Sequence, residues 1–133
     1  MKLLEKLPKE DLQLLLDAPI LVTILIGGAD GDLDNDEKGW ANKLAHIRAN
    51  TEHSFLHDYY ELASDKFDER LETIFATFPE DTDERCDMIS EILSGLNDIY
   101  EGLDQNFVVE LNKSLRSFAH QVAEASGGIL GFG

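Results

Sequence analysis

A chain of 133 residues, 43% of them apolar, carries enough hydrophobic side chains for one folded domain and has no long polar tract of the kind that stays disordered. Its 27 acidic against 11 basic residues give a formal charge of −16, which argues against nucleic-acid binding and against docking on anionic lipid, and favours cations or basic protein patches as partners. The single cysteine, Cys86, forbids an internal disulfide, and the longest apolar run, Ile20 to Ile26 broken by Thr23, is far short of the ~20 residues that cross a bilayer.

Met1 to Lys6 lacks the apolar core of a secretory signal and Pro8 interrupts it, so the expected location is cytoplasmic, with no direct membrane insertion. Leu12, Leu15 and Leu16 predict a short first helix after Pro8. Pro19 suits the first turn of a second helix, apolar nearly all round and hence central, that runs through Val22 and Leu25 toward Asp30. Beyond an acidic loop, Trp40, Leu44 and Ile47 form the apolar stripe of a third helix that frays near Asn50 and Thr51. Phe55, Tyr59, Leu62 and Ala63 mark the apolar side of a fourth. Leu71, Ile74, Phe75 and Phe78 follow the i, i+3, i+4, i+7 rule, and Pro79 stops that helix.

Asp81 and Glu84 have capping-box spacing and open a helix with Ile89, Ile92, Leu93 and Leu96 inward, weakened or stopped at Gly95 and Gly102. A last long helix begins near Asp104 with Phe107, Leu111, Leu115, Phe118 and Val122 as its inner stripe. It runs into the glycine-rich tail Ser126 to Gly133, which extends a helix poorly. Strand patterns are nearly absent and no Pro-, Gly- or Ser-rich linker divides the chain. The expected fold is all-α: a single compact bundle of about six to seven short helices over residues 1–133.

The densest chemistry lies between the second and third helices. Asp30, Asp32, Asp34, Asp36 and Glu37 place five carboxylates within eight residues. A curled loop can turn several of them onto one hard cation, calcium or magnesium, with Glu37 closing from the following helix. Unpaired, they repel one another, which costs stability that a bound cation restores. An EF-hand starting at Asp30 is excluded, because its sixth and twelfth positions are Asn35 and Ala41 where Gly and a bidentate Glu belong. A second reading needs no metal. Asp34 is the N-cap of the third helix with Glu37 at N3, Asp36 complements the helix dipole, and Gly31 closes the preceding helix in a left-handed conformation. Capping explains Asp30 and Asp32 least well.

The order Ala29, Asp30, Gly31, Leu33, Asp34, Glu37 after an apolar helix resembles the signature of the tellurite-resistance TerB-like family. The ending Val122 to Gly133 is similar to a segment in the second half of such proteins. The resemblance covers both ends of the chain, with the middle matched only as helix. It implies an all-helical fold of two related halves, divalent-cation binding through paired acidic motifs, and a role in stress or tellurite resistance. Similar domains also front membrane-anchored DnaJ-type co-chaperones. The resemblance further leads one to expect a second acidic turn and helix beyond Gly133. Ser126 stands where the first half has Asp30, so an implied site leans on Asp30, Asp34 and Glu37.

Other candidates are weaker. His53, His57 and Glu61, spaced i, i+4, i+8, can share a helix face as a zinc or nickel arrangement, but a solvated face opposite Phe55, Tyr59 and Leu62 is the commoner outcome. His46 and His120 have no evident partners. No Glu-x-x-His occurs, which removes the di-iron carboxylate class. Cys86 lies among Asp83, Glu84 and Asp87, which disfavour a thiolate, and the glycine-rich tail lacks the Lys of a phosphate loop. The functional expectation is a non-enzymatic protein that binds a divalent cation at the acidic turn. The alternative is a metal-free acidic module that binds a protein partner or a second copy of itself.

Overall fold

The computed structural model describes residues 2–28, 35–51 and 55–125. Among them every regular element is a helix and the fold is compact, with eight helical segments. These are α1 (Lys2–Glu5), α2 (Lys9–Gly27), α3 (Asn35–Thr51), α4 (Phe55–Ala63), α5 (Phe67–Phe75), α6 (Thr82–Ser94), α7 (Leu96–Glu101) and α8 (Gln105–Ala125). Six of them are nine residues or longer, in line with the all-α expectation, and α1 and α7 are single turns or little more.

Helix α2 is the axis. It packs against every segment from α3 to α8, and Leu15, Ala18, Ile20, Leu21, Thr23 and Ile24 along it are buried. The sequence predicted a break at Pro19, and this is corrected: α2 runs through it without interruption. Proline has no N–H, so the carbonyl of Leu15 loses its helical donor, and the ring crowds the turn before it. Two side chains from other helices repair that turn. The Tyr59 hydroxyl donates to the Leu15 carbonyl at 2.7 Å, and Arg70 Nη2 donates to the Leu16 carbonyl at 3.0 Å. Arg70 also holds Asp17 at 2.9 Å and reaches the Ala63 and Asp65 carbonyls. One turn on, Thr23 Oγ1 donates back to the Pro19 carbonyl at 2.7 Å. The penalty for an internal proline is thereby offset by tertiary hydrogen bonds, which sequence periodicity does not register.

Helix α8 matches expectation closely. Asp104 Oδ1 accepts from the Asn106 and Phe107 N–H groups, and Phe107, Leu111, Leu115, Phe118 and Val122 are all buried. The capping spacing at α6 is also realised, with the Glu84 N–H donating to Asp81 Oδ2 at 2.9 Å. Gly95 separates α6 from α7, and Gly102 follows α7.

Three predicted stripes are rotated. In α3 the buried residues are Ala41, Leu44, Ala45, Arg48 and Ala49, whereas Ile47 is exposed and Trp40 is half-buried. In α4 Leu56 and Tyr60 are buried with Tyr59 and Ala63, and Leu62 faces outward. In α6 Arg85 and Ile89 point inward, Leu93 is half-buried and Ile92 is exposed. Each shift admits a large polar-tipped side chain, Arg48, Tyr60 or Arg85, whose stem or ring fills the core while its head finds hydrogen bonds. Helix α5 ends at Phe75, four residues before Pro79, where Thr77 Oγ1 caps the Ile74 carbonyl at 2.6 Å. Between α4 and α5 the chain reverses through Lys66 at φ 50°, the one non-glycine residue with positive φ among those described.

Candidate functional site

The acidic turn is bracketed by Gly28, which closes α2, and Lys38, in the first turns of α3. Asp30, Asp32 and Asp34 lie outside the described residues, as do Gly31 and its expected left-handed closure. Asp36 and Glu37 fall on the backbone of α3, and their side chains also lie outside what is described.

Both flanks are tied to the same aromatic ring. Arg85, on α6, is 3% exposed; its Nη2 donates to the Gly28 carbonyl at 3.0 Å, and its guanidinium lies 5.4 Å from the Phe75 ring centroid. Lys38 Nζ lies 5.7 Å from that centroid and pairs with Glu72 at 2.9 Å. One ring at the end of α5 thus carries two cations, one at each end of the acidic turn. Through this ring, the Arg85–Gly28 hydrogen bond and the Lys38–Glu72 pair, the end of α2 and the start of α3 are both tied to α5 and α6. Arg85 Nε is buried without a hydrogen-bond partner, and Nη1 makes only a long contact, 3.4 Å, to the Glu80 carbonyl.

Gly28 is glycine for space. Its φ of −93° is open to any residue, but a Cβ would stand 2.7 Å from the Ile24 carbonyl oxygen and 3.2 Å from Arg85 Nη2. The sequence points to Gly31 as the closing glycine; the described closure of α2 is at Gly28, where the Ile24 carbonyl of the same helix crowds a Cβ most and the Arg85 guanidinium, 57 residues later, adds to it.

A second polar centre, unsuspected from the sequence, is Arg48. It is buried, donates to the Tyr60 hydroxyl (3.0 Å), the Ser114 carbonyl (2.7 Å) and Oγ (2.6 Å) and Ser117 Oγ (3.1 Å), and stacks near the Tyr60 and Phe118 rings. Among the described residues no carboxylate pairs with it. Neutral dipoles and ring faces hold the charge, and the cluster locks α3 to α4 and α8. Burial raises the Tyr59 phenol well above its ordinary value, with the neighbouring Tyr60 adding to the effect, and burial raises Tyr100 as well.

The remaining candidates resolve simply. His53 lies outside the described residues, and His57 pairs loosely with Glu61 at 3.6 Å on an exposed face, so the sequence's solvated reading holds for that pair. His120 pairs with Glu124, a partner the sequence reading missed. Among the described residues no three His, Cys, Asp or Glu side chains converge as a metal site, and no helix is long and apolar enough to cross a membrane. Cys86 is a free, half-buried thiol. No family model, no curated protein and no solved structure matches the chain.

Proposed function

We propose that this chain is a TerB-like, non-catalytic, cytoplasmic protein that binds a divalent cation at the turn Asp30 to Glu37 and acts in stress or tellurite-resistance physiology. The observation that carries the reading is the run of five carboxylates, Asp30, Asp32, Asp34, Asp36 and Glu37, within eight residues that lead from α2 into the first turn of α3. Two features support it. Arg85 holds the Gly28 carbonyl at the end of α2 and Lys38 in α3 pairs with Glu72, so the helices on either side of the turn are anchored to α6 and α5. The donors are all hard oxygens, which suit calcium or magnesium and not a thiolate-seeking ion.

Calorimetric titration of chelator-treated protein with calcium, magnesium, manganese and zinc tests the proposal. Trp40 emission gives an independent readout three residues from Glu37. The wild type is expected to bind one hard cation, and Asp30→Asn/Asp34→Asn to lose most of that affinity. Silence toward every ion at millimolar concentration refutes the cation reading. Growth of a deletion strain on tellurite, with and without the restored gene, tests the physiological part separately.

A further inference from the structure

A cavity of about 620 Å³ opens along the outer side of α2, walled by the end of α5 and by α6. Its apolar surface comes from Leu14, Leu21, Ile74, Phe78, Met88 and Ile92. Met88 and Ile92 are two of the five large apolar residues exposed among those described, at 43% and 38%. Both sit on one wall, one helical turn apart. A pair of exposed apolar side chains facing an apolar trough is the arrangement that a partner surface covers.

The charge around the trough identifies what can cover it. On α6 the exposed Asp87 and Glu91 directly precede Met88 and Ile92, and exposed Glu84 stands one turn earlier. On α2 Glu10 and Asp17 line the trough, Asp17 being neutralised by Arg70. Lys9 is the one lysine or arginine lining it among the described residues. A second copy of this chain, itself at −16, meets like charge here, and an anionic membrane does too. From Leu14 to Leu21 the trough runs about 10 Å, or two turns of helix at roughly 1.5 Å per residue.

We infer that this trough docks an amphipathic helix of another protein, with apolar residues at i, i+4 and i+7 seated against Met88, Ile92 and Leu14, and with Lys or Arg on its flanks. The inference stands apart from the cation reading, because none of its residues belongs to the acidic turn. A cation titration that fails leaves it untouched.

The probe is a synthetic amphipathic helix of about 15 residues with a leucine stripe and lysine flanks, labelled for anisotropy at physiological salt. Saturable binding is expected. Met88→Gln/Ile92→Gln preserves charge and lies on the surface, so it is expected to stay folded, as thermal unfolding checks, and to weaken binding at least about tenfold. Leu62→Gln/Val109→Gln, exposed elsewhere, is expected to bind as wild type. A scrambled peptide of equal composition is expected to lose binding by the same factor. Absence of binding overturns the inference. So does equal affinity for the scrambled peptide, or for the Met88/Ile92 variant, since either shows diffuse charge attraction without a docking trough.

Discussion

Replacing Tyr59 by phenylalanine probes how α2 survives its internal proline. The change removes one oxygen atom and leaves the ring in place, 5.0 Å from Tyr60 and 6.4 Å from Phe107. Leu15 and Tyr59 are both fully buried, and the lost contact is a 2.7 Å hydrogen bond to a carbonyl that Pro19 has deprived of its helical donor. A buried acceptor left unpaired costs about 1 to 3 kcal/mol. With an unfolding entropy of roughly 2.1 cal/mol/K per residue, that lowers the melting temperature by about 4 to 11 °C. Urea unfolding followed by circular dichroism measures it.

The specific test is a double-mutant cycle with Pro19→Ala. Alanine restores an N–H at position 19, so the Leu15 carbonyl regains a donor within the helix and the Tyr59→Phe cost is expected to fall below about 0.5 kcal/mol. Equal cost in both backgrounds would refute the repair. The same hydroxyl also sets an alkaline limit. Its folded value is raised above the unfolded phenol's value of about 10, so its contribution is complete below pH ~10 and declines as pH rises from there toward the folded value. Tyr59→Phe is expected to flatten the fall in stability above that pH, and an unchanged alkaline profile would count against the assignment.

Three further perturbations discriminate among local explanations. Gly28→Ala forces a Cβ to 2.7 Å from a backbone oxygen and is expected to cost about 1 to 3 kcal/mol, whereas Gly39→Ala, inside α3 with open space around its Cβ, is expected to stabilise by about 0.5 to 1 kcal/mol in the same denaturation assay. Arg48→Lys keeps a buried charge but loses the planar fork and ring stacking, so it is expected to cost about 2 to 3 kcal/mol. Arg48→Met removes the charge and leaves Tyr60 and Ser114 bonded to each other at 2.7 Å, so it is expected to cost less; the reverse ranking would refute the neutral-cage description. Lys66→Gly relieves the left-handed backbone between α4 and α5 and is expected to raise stability by up to about 1 kcal/mol, read as a shift in urea midpoint.

Periodicity and capping chemistry made much of the helical framework legible. The α8 stripe from Phe107 to Val122 and the Asp81 and Asp104 caps depend on residues within a turn or two of one another, and local patterns register such relations. The errors share a cause. Local spacing and turn preference place Pro19, Ile47, Leu62 and Ile92, yet their environments depend on partners far along the chain. Pro19 is accommodated because Tyr59 and Arg70 arrive from α4 and α5. The predicted stripes of α3, α4 and α6 turn because Arg48, Tyr60 and Arg85 take inward positions.

For the acidic turn the division is similar. Composition and order alone mark Asp30 to Glu37 as a concentration of hard oxygen donors, since charge and spacing along eight residues are properties of the chain itself. That Lys38 and Arg85, one on each side of the turn, meet the same Phe75 ring, and that Arg85 reaches the Gly28 carbonyl from α6, depend on tertiary packing. Hydrophobic spacing acts within a helix and is readable one helix at a time. Burial of a cation, repair of a carbonyl and closure of a trough each need groups from separate helices, and only the packed structure brings those together.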